Sequence, residues 1–192
     1  GEARDCLLVD KATVCFQPGP SVEVDALNFL QVKALNGQPP EALRQAVALY
    51  RGPLLEGFEL PDSPAFEEWL FFQRDALEQQ ALALLHTMVV ELVRRSDNQQ
   101  ALPYARQWVR LDPLAEEAYR NLMQIYAALG DQDSVRRQYR TCAALLAREL
   151  DVELSVETQA LFRQLTSAAP APAPAQQIPP DSADRLALLP FV

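Results

Sequence analysis

Apolar residues in the middle of the chain recur every three or four positions, a spacing that predicts amphipathic helices. The clearest helix starts at Ser63-Pro64, where an N-cap hydroxyl precedes a proline suited to the first helical position. From Phe66 an apolar stripe continues to about Arg95, and no glycine or proline interrupts it. We therefore predict one long helix over this segment.

Shorter elements are predicted upstream of the long helix. Residues 6–16 alternate and carry β-branched and aromatic side chains, which favours a short β-hairpin. Asp25 is suited to cap a helix that continues to about Leu35. A second helix is expected from Pro39-Pro40 through Tyr50, because proline is favoured in the first helical turn.

An internal repeat follows. Comparison of the segment from Leu82 with the segment from Glu116 gives an offset of 34 residues, the period of helix-pair repeats. At this offset apolar residues coincide at the positions that both helices of a pair must bury. The matched residues are Leu85 with Tyr119, Met88 with Leu122, Val89 with Met123, Leu92 with Tyr126, Ala101 with Val135, Ala105 with Tyr139, Trp108 with Cys142 and Leu111 with Leu145.

The turn residues agree with this repeat. Gly130 stands where the first helix of the second pair needs a left-handed residue, and Asp131 can cap the next helix. Pro113 separates the two pairs, because proline cannot continue a helix interior. Ser155 is expected to cap a last helix that continues to about Leu165 and covers the end of the array.

The elements together predict an all-α fold of about seven helices in TPR-like helix-pair repeats, with a short N-terminal β-hairpin. An ordinary antiparallel helix bundle is the alternative, since chance can align a few apolar residues in any helical protein. The large residues of the apolar stripes are predicted to form the structural core: Trp69, Leu85, Met88, Leu92, Trp108, Leu122, Tyr126 and Tyr139.

Composition narrows the class of protein. A hydrophobic content of 49% and a charged content of 22% are those of a folded globular chain. No apolar run approaches the roughly 20 residues that span a bilayer, and the start GEARDC lacks the features of a signal peptide. We expect a cytoplasmic segment of a larger protein. The net charge of −9 argues against direct contact with duplex DNA, which favours basic surfaces.

Candidate chemistry is sparse. The three cysteines form no C-x-x-C pair, and the single histidine, His86, leaves too few ligands for a typical zinc site. Gly52 and Gly57 have the spacing of a phosphate-binding loop, but Phe58 and Glu59 follow where that loop needs Lys and Ser or Thr. We predict no catalytic, cofactor-binding or metal-binding residues, and no enzyme.

Several segments, in order and spacing, resemble one known family. They are YRGPLLEGF at 50–58, Trp69 with Arg74 and Leu77, LDPLAEEAYRNLMQIYAALGD at 111–131, Tyr139, and LARELDVELSVET at 146–158. Over roughly residues 26–165 the chain resembles the bacterial transcriptional activator domain. That domain is found behind the winged-helix DNA-binding domain of antibiotic regulatory proteins and related ATPase-linked regulators. The family usually has Gly where Asp151 stands and Pro near Leu154.

The resemblance implies a domain organisation. Residues 1–20 resemble the closing β-hairpin of a winged-helix domain, and residues 21–166 form the activator domain itself. Residues 167–184 are a Pro/Ala-rich linker, which composition alone also indicates. Residues 185–192 resemble the start of a following module, such as an ATPase.

Stacked helix pairs form a curved surface whose concave side is lined by the first helix of each pair. A peptide, an adjacent domain or a second copy of the protein is the expected partner, and the resemblance implies oligomerisation, interdomain signalling or contact with the transcription machinery. DNA would be contacted only through the missing winged-helix domain. A generic TPR-like scaffold unrelated to transcription is the alternative, and each groove position can also be an ordinary solvated one. The candidate groove residues are His86, Val90, Glu117, Arg120 and Gln124.

Overall fold

The computed structural model of the protein describes residues 7–9, 14–16, 24–32, 39–60 and 62–167. These ranges contain two short strands followed by seven helices. The seven helices confirm the predicted all-α class. The elements are β1 (Leu7–Val9), β2 (Val14–Phe16), α1 (Asp25–Gln31), α2 (Pro40–Leu49), α3 (Pro64–Arg94), α4 (Asn98–Leu111), α5 (Glu116–Ala128), α6 (Gln132–Leu150) and α7 (Val156–Ser167).

The two strands pair antiparallel, with Leu8 opposite Cys15. Residues 10–13, which join them, lie outside the described part of the chain, and the origin of this segment in a winged-helix domain stays a prediction. Apart from Ser167, which ends α7, the predicted linker (167–184) and following module (185–192) also lie outside it.

Helix α3 has 31 residues and is therefore about 46 Å long at 1.5 Å per residue. Pro64 occupies its first turn, where the missing N–H costs nothing, and Glu67 and Arg94 complement the helix dipole at its two ends. The predicted hydroxyl cap is wrong, because the side chain of Ser63 makes no capping bond. The Ser63 carbonyl instead accepts the backbone N–H groups of Phe66 and Glu67.

The second half of α3 pairs with α4, and α5 pairs with α6, at the 34-residue offset seen in the sequence. Two side chains at equivalent positions end the turns in the same way. Asp97 accepts a hydrogen bond from the N–H of Gln100 at 3.3 Å, and Asp131 accepts one from the N–H of Ser134 at 2.9 Å. The residue before each cap is left-handed, with φ of 61° at Ser96 and 80° at Gly130. The turns therefore repeat as well as the apolar positions.

The main core lies between α2, α3, α4 and α5, and a smaller one lies beneath the α6–α7 connector. Six of the residues assigned to the core from sequence are buried: Leu85, Met88, Leu92, Trp108, Leu122 and Tyr126. Tyr139 is only half-buried, and its ring stacks on Phe162 of α7 at a centroid distance of 3.9 Å.

Trp69 corrects the sequence prediction, because 48% of it is exposed. Leu70 and Leu77 are the buried residues in this part of α3. Trp69 is one residue before Leu70 and so points about 100° away from it around the helix. The periodicity was consistent with either residue, and the folded structure buries Leu70.

Candidate partner-binding groove

Helices α3, α5 and α7 stand side by side, because α5 packs against both of the others. Helix α4 contacts both α3 and α5, and α6 contacts both α5 and α7. Each second helix therefore bridges two neighbouring first helices. The first helices share the opposite face of the array, which is the face where the sequence placed the groove.

His86 and Glu117 join α3 to α5 within this face. The Nε2 atom of His86 lies 3.2 Å from Oε1 of Glu117, and both side chains are about half-exposed. The His86 ring also meets the buried indole of Trp108 edge-on, with 5.1 Å between the ring centroids. This contact holds the imidazole in place, so that it presents one nitrogen to Glu117 on the open face.

Val90 and Gln124 are exposed on the same two helices. They occupy equivalent positions of the two pairs, since 34 residues separate them. Val90, at 38% exposure, offers an apolar surface, whereas the amide of Gln124 both donates and accepts hydrogen bonds. Together with His86 and Glu117 they form a mixed polar and apolar surface.

Arg120 stands at the repeat position equivalent to His86, on the side of α5 that faces α7. Its Nη1 donates to Oγ1 of the fully buried Thr158 at 3.0 Å, which ties α5 to α7. Ser155 caps α7 by accepting the N–H of Thr158, and its own hydroxyl donates to Glu116 at 2.6 Å. Arg120 therefore belongs to a structural junction.

This junction sets the ionisation of Glu116. Burial acts to raise the pKa of the Glu116 carboxyl, but hydrogen bonds from Ser155 and Thr158 and the charge of Arg120 hold that pKa below its usual value. Glu116 thus stays a carboxylate at neutral pH and keeps α7 against α5.

A family model describes the same stretch of chain. The model of the bacterial transcriptional activator domain matches residues 26–166, which extend from α1 to within one residue of the end of α7. The chain belongs to the bacterial transcriptional activator domain family. No curated protein matches the chain in a sequence search. The family is one of transcription-regulatory domains and not of enzymes.

In this activator domain the segment YRGPLLEGF is a loop that Arg74 fastens to α3. The Nε and Nη2 atoms of Arg74 donate to the carbonyls of Leu54 and Leu55, each at 2.8 Å. Leu55 has a φ of 51°, a left-handed conformation that a leucine adopts only under constraint. The clamp by Arg74 explains how the loop keeps this shape.

Glu91 is a charged residue of the activator domain that the sequence prediction missed. It is buried at the end of α3, and its carboxylate accepts hydrogen bonds from Arg94 at 2.6 Å and from Arg95 at 2.8 Å. These two hydrogen bonds, opposed by burial, lower the pKa of Glu91 to about 2. Glu91 precedes Arg94 and Arg95 by three and four residues, a spacing that favours ion pairs along a helix. This spacing does not indicate that the carboxylate is buried.

Among the described residues, no group of three or more His, Cys, Asp or Glu side chains is arranged to hold a metal ion. No helix in these ranges is long and apolar enough to span a membrane.

Proposed function

We propose that this activator domain is an interaction module that binds a protein segment in the groove formed by α3, α5 and α7, and so couples a transcriptional regulator to its partner. The supporting observation is that His86, Val90, Glu117 and Gln124 lie on adjacent first helices and remain accessible. The partner is an adjacent domain of the same regulator or a component of the transcription machinery. The module acts in the cytoplasm, where transcription takes place.

The groove suits an extended segment better than a small molecule. Val90 offers a contact for one apolar side chain, and the amide of Gln124 can pair with a backbone N–H and C=O together. The His86–Glu117 pair, which joins α3 to α5, supplies both a hydrogen-bond donor and a hydrogen-bond acceptor. Alternating apolar and polar contacts of this kind recognise backbone and side chains of a peptide together.

DNA contact is assigned to a separate winged-helix domain. Duplex DNA is bound by replacing condensed cations with Lys and Arg, whereas this chain has 17 basic and 26 acidic residues. The activator domain would then transmit a signal between domains or assemble the regulator with its partner. The winged-helix domain would select the promoter.

The test is a reporter gene under the control of a regulator that contains this domain. Val90→Asp combined with Gln124→Lys places two charges in the groove and is expected to reduce activation by about tenfold, equivalent to about 1.4 kcal/mol of binding. The matched control is Leu150→Asp, an exposed apolar-to-acidic change at the end of α6, away from the groove. It should leave activation unchanged. Equal activation by both variants, with equal melting temperatures, would contradict the proposal.

A further inference from the structure

A second surface lies on the first half of α3 and the loop before it. Phe58 meets Phe66 at 5.8 Å between ring centroids, Phe66 meets Trp69 at 5.7 Å, and Phe71 meets Phe72 at 5.6 Å. We call these five residues, one cluster of three rings and one of two that together extend around α3, the aromatic face. Phe66 is half-buried and the other four are exposed, with Phe71 reaching 67%. Among the described residues, the other helices do not cover these side chains.

The size of the aromatic face sets it apart from scattered surface apolar residues. An aromatic side chain offers about 150–250 Å², so the four half-exposed rings leave on the order of 400 Å² of apolar surface in contact with water. Apolar patches of a few hundred Å² on soluble proteins are often functional. A standard interface buries about 800 Å² per partner, and such a patch is the right size for its apolar centre.

The rim of the aromatic face is strongly acidic. From Leu55 to Asp75 the chain carries six carboxylates and one guanidinium, a net charge of −5. The one guanidinium, Arg74, is already engaged by the carbonyls of Leu54 and Leu55. The carboxylates of this stretch are Glu56, Glu59, Asp62, Glu67, Glu68 and Asp75, and Glu67 accepts the backbone N–H of Leu60.

We propose that the aromatic face docks a positively charged protein surface that carries aliphatic or aromatic anchors. The rings provide the apolar centre of the interface, and the carboxylates provide a rim that attracts Lys and Arg and repels acidic partners. A second copy of the chain fits poorly, because pairing the two faces would bring two acidic rims together. The face differs from the α3–α5–α7 groove, since Phe72 and His86 are about 21 Å apart along α3.

Trp69 provides a direct readout of this face. In a Trp108→Phe background it is the only tryptophan, so its emission and its quenching by acrylamide report contact with the rings. The probe is a synthetic amphipathic peptide of leucine and lysine, about 18 residues long and hence about five helical turns. Its counterpart has glutamate in place of lysine. The leucine–lysine peptide is expected to shift Trp69 emission to the blue and to bind about tenfold more tightly than the leucine–glutamate peptide.

Variants separate the apolar and electrostatic contributions. Phe71→Ser with Phe72→Ser should weaken binding of the leucine–lysine peptide about tenfold, whereas Val156→Ser, which removes an exposed apolar side chain on α7, should not. Glu68→Lys with Asp75→Lys should reverse the preference in favour of the leucine–glutamate peptide. Added salt should weaken binding to the parent chain.

Three results would overturn the proposal. The first is equal affinity for the two peptides, and the second is absence of any Trp69 response to the leucine–lysine peptide. The third is a Trp69 already shielded from acrylamide in the free protein, in which case light scattering would distinguish a second copy from the chain's own residues as the occupant. The groove variants Val90→Asp and Gln124→Lys should not alter the Trp69 response. Failure here is thus distinct from failure of the proposed groove function.

Discussion

Individual residues show where hydrophobic periodicity is informative and where it is not. Trp108 and Trp69 look alike in the sequence, since both belong to helical apolar stripes. Trp108, in α4, is 5% exposed, whereas Trp69, in the first half of α3, is 48% exposed. Periodicity locates an apolar stripe along a helix, but it does not show how many of its residues other elements bury. That depends on elements that are distant in the sequence.

The two tryptophans therefore differ in their expected effect on stability. Trp108→Ala should lower the free energy of unfolding by about 3–5 kcal/mol, because it leaves a cavity and removes the support of the His86 ring. Trp69→Ala should cost about 1 kcal/mol or less, as for a half-exposed side chain. Urea unfolding followed by circular dichroism measures both. Equal losses would contradict the assignment of Trp69 to the surface.

Helix positions were predicted more closely than helix ends. Pro64 to about Arg95 agrees with α3, and the 34-residue repeat anticipated the pairing of α3 with α4 and of α5 with α6. The predicted end of α1 at Leu35 is too late, since Val32 is extended and ends the helix. Asp25 is the first helical residue and not the cap. The spacing of apolar residues can continue beyond the last intrahelical hydrogen bond. It therefore cannot locate the end of a helix.

The candidate groove stays a prediction, and the structure shows only which helices carry its residues. Val90 and Gln124 share a repeat position on α3 and α5, and the His86–Glu117 contact joins the same two helices. Arg120 occupies the position equivalent to His86, and it reaches Thr158 on α7 as His86 reaches Glu117 on α5. The repeat predicts that both residues face the next helix, but it does not identify the side chain that each one meets.

The connector after α6 yields a prediction at the scale of the element. Asp151 has φ of 53° and ψ of 38°, a left-handed conformation that favours Gly. Left-handed geometry destabilises the folded state of an L-residue by about 1–2 kcal/mol. A glycine avoids that strain, but its greater conformational freedom in the unfolded chain lowers the free energy of unfolding by about 0.4–1 kcal/mol. Asp151→Gly should therefore raise the free energy of unfolding by about 0.5 kcal/mol. Arg136→Gly, inside α6, is the control and should lower it by about 1 kcal/mol.

At the scale of the whole molecule, the repeat array is held at its joints by carboxylates with lowered pKa values. Glu91 closes the end of α3, Asp131 caps α6, and Glu116 ties α5 to the α7 cap. The pKa of Glu91 is lowered to about 2 by Arg94 and Arg95, and the pKa of Asp131 is lowered by hydrogen bonds from Ser134. These three junctions thus depend on an ionised acid.

These shifts predict how stability depends on pH. A carboxyl whose pKa is lower in the folded protein than in the unfolded chain binds fewer protons when folded, so its stabilisation is complete above the unfolded value and decreases on acidification. For Glu91 the window extends from about 4.5 down to about 2. Glu91→Gln should therefore flatten the decrease of unfolding free energy across this window, whereas Asp133→Asn, at a fully exposed carboxylate, should not. A parent chain whose stability is constant from pH 5 to pH 2.5 would show that the joints do not depend on these charges, and the array would then be held by its apolar core alone.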